Sequence, residues 1–148
     1  MAYLFNDDKT KLPIGNTKKL LWEGDGSHTS GVSLNFETLG INPLDYSFMC
    51  FVGGDLNGDA QADIIFPARQ WFTGMLTYSD VSYDAQNAAC TTKEVFRKIT
   101  YYPDDNGGTL RADEAIERLH HWTQSSTNTF SCSVDTSDII PMQLWGIM

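Results

Sequence analysis

Eight short apolar runs, each closed by glycine, aspartate, asparagine, serine or proline, constrain this chain more than any other feature. They are KLLWEG (19–24), GVSLNFETLG (31–40), YSFMCFVGG (46–54), ADIIFPA (62–68), GMLTY (74–78), EVFRKITYY (94–102), NTFSCSV (128–134) and IIPMQLWGI (139–147). Short runs bounded in this way read as strands and turns, and eight of them at close spacing predict a sandwich or a barrel. Within them, apolar residues alternate. Val32, Leu34 and Phe36 share one face of a strand, as do Phe130, Cys132 and Val134, and both triplets are expected to line the core.

One segment has a different period. In TLRADEAIERLHHWTQ (109–124), Ala112, Ala115, Ile116, Leu119 and Trp122 recur at spacings of three and four, and Glu114 and Arg118 form an i,i+4 pair. Thr109 is placed to cap such a helix, with Asp113 and Glu114 in its first turn. The expected fold is therefore all-β, an antiparallel, jelly-roll-like β-sandwich with one inserted amphipathic helix.

The chain has 148 residues, which suits one domain with a sizeable core. Residues 1–18 are polar, lack periodicity and carry Pro13 and Gly15, so they read as an N-terminal anchoring arm ordered by a partner or not at all. The sandwich is expected to occupy residues 19–148. No repeat of about 20–50 residues is visible, which excludes solenoids and whole propellers.

Nineteen acidic against ten basic residues give a net charge of -9, which repels a phosphate backbone, so nucleic acid is not expected as a partner. The opening MAYLFNDDKTKLPIG breaks any apolar stretch with charges, so neither Sec-type export nor membrane insertion is expected. Cys50, Cys90 and Cys132 are odd in number and widely spaced, which predicts buried reduced thiols and synthesis in a reducing cytosol.

The loop GGDLNGDAQADIIFPA (53–68) sets oxygen-bearing side chains at alternate positions: Asp55, Asn57, Asp59, Gln61 and Asp63. Calcium takes six to eight hard oxygens, and a tight loop can wrap alternate side chains around one ion. The same composition also serves a plain hairpin loop, where Asp, Asn and Gly supply turn conformations. Gly54 through Phe66 resembles the calcium loop of FG-GAP repeats, with Ala60 standing where that family has glycine. The resemblance implies calcium on Asp55, Asn57, Asp59, Gln61 and Asp63. It occurs once, so it argues for a local staple and against a propeller.

Other candidates are weaker. His120 and His121 are adjacent, so on a helix they point about a hundred degrees apart. The carboxylate pairs Asp7 and Asp8, Asp104 and Asp105, and Asp113 and Glu114 are sequence neighbours in surface-like contexts, whereas acid–base chemistry needs carboxylates in different environments. No nucleophile elbow and no phosphate-cradling loop is present, and a non-enzyme is expected. Arg69, Trp71, Phe72, Tyr101 and Tyr102 are read either as core and rim packing or as a contact surface for a protein or glycan.

Across residues 19–148 the succession of strand openings and endings carries a broader likeness. It comprises Leu21-Trp22-Glu23-Gly24, Ser33-Leu34-Asn35, an aromatic strand from Tyr46 to Gly54, Ile64 to Pro67, and the closing Gln143-Leu144-Trp145-Gly146-Ile147. This resembles the small β-sandwich domains of bacteriophage virion proteins, of the tail-fibre or receptor-binding tip and head-fibre or decoration types. The resemblance implies a non-enzymatic virion component on tail or capsid, made in the bacterial host cytoplasm. It further implies a homo-oligomer (a trimer in fibres and spikes), other virion proteins met through the arm, and a host glycan as a possible contact. A carbohydrate- or calcium-binding β-sandwich module is the alternative.

Overall fold

The computed structural model describes the backbone of residues 2–5, 11–14, 18–124 and 128–148, and side chains from Lys18 onward within those ranges. All eight apolar runs contain strands, and the second of them, 31–40, passes from strand into a short helix at Phe36. The chain begins with β1 (Ala2–Phe5) and β2 (Lys11–Ile14), which pair with each other as an antiparallel ribbon. The rest of the expected arm lies outside the described residues.

Then follow β3 (Lys18–Glu23), β4 (Val32–Asn35), the short helix α1 (Phe36–Leu39) and a 3-10 turn (Pro43–Asp45). β5 (Phe48–Gly54), β6 (Ala60–Pro67), β7 (Phe72–Asp84), β8 (Ala89–Tyr102), β9 (Thr109–Thr123), β10 (Thr129–Asp135) and β11 (Ile140–Ile147) complete the chain. They form two antiparallel sheets. A four-stranded sheet runs β3-β11-β5-β6; a five-stranded sheet runs β10-β9-β8-β7, with β4 beside β9. β4 pairs with Thr109–Ala112 and β10 with Ala115–His121, so the two lie end to end along one edge of β9. The expected antiparallel sandwich is present, and β7 to β10 run through one sheet as a meander where a jelly roll would pass the chain between sheets.

The expected helix at 109–124 is instead β9, 15 residues long. Opposite β8 the register slips once: Ile99 faces Ala112 and Arg97 faces Ala115, so Asp113 and Glu114 together oppose Lys98. This β-bulge inserts one residue into an otherwise two-residue alternation. Leu110, Ala112 and Ala115 are therefore all buried, and the extra residue imitates the three-residue step of a helix face.

The core lies between the sheets. Leu34, Phe36, Met49, Phe51, Phe66, Leu76, Val95, Ile99, Tyr101, Leu110 and Leu144 are buried in one cluster, with Phe36 and Phe66 packed against the Tyr101 ring. Gly146 is needed where it stands, because a Cβ there would run into the Tyr46 ring. Leu34 and Phe36 thus occupy the expected core and Val32 is half-buried, but Phe130, Cys132 and Val134 do not: they share a face that points outward.

Aspartate makes the turns. Asp25, Asp55, Asp84, Asp104 and Asp135 each accept, through Oδ1, the backbone N–H two residues on. Short acidic side chains are favoured at such positions because they mimic a backbone turn. Five of the nineteen acidic side chains thus close loops.

Candidate functional site

The Asp55 loop is a self-capped hairpin turn. Asp55 Oδ1 accepts from the N–H groups of Asn57 (2.9 Å) and Asp59 (3.0 Å), and these bonds, that of Asp59 foremost, hold the carboxyl below its usual range. Asn57 and Asp59 share this turn. The other two expected ligands are engaged elsewhere. Gln61 Nε2 donates to Asp138 Oδ1 at 2.7 Å and its Oε1 accepts from Ile139 N–H at 2.8 Å, pinning the β10–β11 connection. Asp63 Oδ2 accepts from the Cys50 thiol at 3.7 Å on the outer face of the four-stranded sheet. Burial, aided by that carboxylate, pushes the thiol up, so it stays protonated and donates. Asp55, Asn57 and Asp59 are thus hydrogen-bonded within one turn, while Gln61 and Asp63 are hydrogen-bonded to residues outside it.

Gln61 belongs to a different constellation. The ammonium of Lys93, on β8, meets Glu117 at 3.1 Å, Asp135 at 3.4 Å and Asp138 closer still. Burial works against its charge, but Asp138, Glu117 and Asp135 more than offset this and raise its pKa. Nearby, Arg97 is fully buried and donates to the carbonyls of Asp113 and Thr29. Ile139, also fully buried, sits at φ +44, a left-handed conformation that costs a β-branched residue on the order of 1–3 kcal/mol. Gln61 and the Lys93 cluster hold that strained corner in place, so these charges form the joint between β10 and β11.

The expected contact surface divides by strand alternation. Tyr101 and Phe72 turn inward: Tyr101 has no exposed surface, and Phe72 stacks on Phe66 with ring centroids 5.1 Å apart. Their chain neighbours, Tyr102 and Trp71, are exposed, as is Arg69 in the turn between β6 and β7, whose guanidinium donates to the Leu44 carbonyl at 2.7 Å. Arg69 also lines a groove of about 490 Å³ at this end of the sandwich, floored by Phe36, Ile41 and Tyr101 and rimmed by Glu37, Asp104 and Asp105.

The other end holds what the sequence did not single out. Every residue from Ser79 to Asp84 and from Thr129 to Val134 is exposed, so the ends of β7, β8, β9 and β10 project beyond the four-stranded sheet. Cross-strand pairing fixes which residues share a face there. One row is Thr77, Phe96, Ile116 and Val134; the next is Ser79, Glu94, Arg118 and Cys132. Then come Val81, Thr92, His120 and Phe130, and last Tyr83, Cys90 and Trp122. Side-chain contacts agree: Arg118 pairs with Glu94 and lies 5.4 Å over the Phe96 ring, and His120 packs 4.5 Å from Trp122 and 6.4 Å from Phe130. The opposite face of the projection is polar, with Lys93 against Glu117 and Thr91 Oγ1 2.7 Å from His121 Nδ1. In the sandwich proper the sheet is apolar inside; in the projection it is apolar outside.

The two histidines thus point to opposite faces of a strand, and of the three expected buried thiols Cys50 is buried, Cys90 half-buried and Cys132 exposed on the projection. The alternation in NTFSCSV signalled this surface, but a period of two leaves open which face is inward.

No protein family model, characterised protein or solved structure matches the chain.

Proposed function

We propose that this chain is a non-enzymatic structural component of a bacteriophage virion, a surface appendage of tail or capsid. The observation that carries the reading is the projection with its apolar side outward. A monomer gains nothing by exposing a continuous aromatic and aliphatic sheet face, whereas a subunit that is buried in an assembly does. The β1–β2 ribbon supplies a second attachment element, since a lone two-stranded ribbon is marginal in water and gains stability by packing on a partner. The resemblance of the strand openings and endings to virion sandwich domains supplies the class of particle. Deletion of residues 2–18 is expected to leave melting unchanged and abolish incorporation into particles, assayed by their protein content after purification; undiminished incorporation would overturn the role of the arm.

The groove beside exposed Trp71 and Tyr102 favours a second reading, a glycan-binding module. An aromatic platform flanking a carboxylate-lined cleft suits a sugar ring and its hydroxyls. On that reading Trp71→Ala lowers binding on a glycan array at least about tenfold. Equal binding by both proteins counts against it.

A further inference from the structure

We infer that the outer face of the projecting sheet is a self-association surface, on which a second copy of this chain packs face to face about a two-fold axis. Its apolar side chains are Val81, Tyr83, Ile116, Trp122, Phe130 and Val134, each between 36% and 70% exposed. At roughly 150–250 Å² for a large side chain, six half-exposed residues present on the order of 600 Å² of apolar surface. A standard stable interface takes roughly 800 Å² per partner, so this apolar surface alone is of the same order.

Charge selects the occupant. The chain carries -9 overall, yet the four rows of this face contain only Glu94 and Arg118 as full charges, paired with each other. A partner recruited to an acidic protein by electrostatics would dock on its acidic surface, and this face offers none. What fits it is another neutral, apolar strand face. A two-fold axis through the Glu94 and Arg118 row sets Arg118 of each copy against Glu94 of the other, so the ion pair is complementary to itself, as an isologous contact requires. Two such faces stack as sheets do in a sandwich, about 10 Å apart. The inversion of polarity along the sheet then has a single cause: each half is apolar on the side where another sheet lies.

The test is the mass of the full chain by light scattering, with two variants. The wild type is expected at twice 16.6 kDa. Phe130→Glu is expected to weaken association about a hundredfold and give the monomer mass while still melting cooperatively, at a temperature that no longer depends on protein concentration. Ile65→Glu, on the exposed outer face of the other sheet, is expected to stay dimeric. Cys132 supplies an independent readout, because its thiol reacts slowly with a soluble alkylating reagent in the dimer and quickly in Phe130→Glu. A wild type that is monomeric at every concentration, a trimer, association that survives Phe130→Glu, or equal Cys132 reactivity in the two proteins would each overturn the inference. A monomer that still joined particles would do so while leaving the virion reading intact.

Discussion

Tyr101 shows how much one residue does in this sandwich. Its ring is covered by Phe36 and Phe66, and its hydroxyl lies 2.9 Å from the Ala68 carbonyl and 3.1 Å from that of Gly107. Burial, with the charge of Asp104 adding to it, pushes the phenol up from 10 to about 12. The unfolded chain therefore gives up this proton first. The stabilisation is complete below about pH 10 and disappears as the pH rises towards 12, a loss on the order of 2–3 kcal/mol. Denaturant melts between pH 8 and 12 are expected to show that loss in the wild type, and Tyr101→Phe is expected to lack it while being about 1 kcal/mol less stable at neutral pH. Parallel pH profiles for the two proteins would contradict the assignment. At this scale the sequence announced Leu34 and Phe36 as core through their alternation with Ser33 and Asn35. It could not announce Tyr101 over Tyr102, because two adjacent aromatics satisfy either face equally.

β9 is where local pattern and fold part company. Ala112 and Ala115 are three apart, as on a helix, because Asp113 and Glu114 both oppose Lys98, and nothing within the segment distinguishes a bulged strand from one helical face. What decides is partnership: β9 is paired along its length with β8 and along its other edge with β4 and β10, and those pairings outweigh helical propensity. Deleting Glu114 leaves Asp113 alone opposite Lys98 and restores strict alternation with Ala112 and Ala115 still inward, whereas deleting Ile116 from the regular part of the strand turns every side chain from Glu117 to Thr123 to the opposite face. The cost of deleting Ile116 is expected to exceed about 3 kcal/mol in a thermal or urea melt, and that of deleting Glu114 to be smaller. A glycine inserted after exposed Ala85, in the β7–β8 loop, is expected to change stability by no more than about 0.5 kcal/mol. If deletion of Ile116 proves as mild as the loop insertion, pairing with β8 does not set the faces of β9.

For the whole molecule, the sandwich was legible because eight apolar runs with turn residues between them admit few other solutions. The candidate surfaces were not. Gln61 and Asp63 sit two apart in one stretch of sequence, yet the fold bonds Gln61 to Asp138 and Asp63 to Cys50, contacts across 77 and 13 residues of chain. The projecting face is assembled from β7, β8, β9 and β10, each contributing a few ordinary alternating residues, and becomes a surface only when the meander is laid out. The four-stranded sheet is built differently. β11 lies between β3 and β5, so Lys18–Glu23 and Phe48–Gly54 both wait for residues 140–147 before either edge is closed. The β7–β10 meander joins neighbours in sequence through short loops, whereas the four-stranded sheet closes only across the long stretch between β3 and β11. Loop closure over so long a stretch is slow. The two sheets therefore differ in kind: one is a run of near neighbours in the chain, the other joins strands from opposite ends of the sandwich.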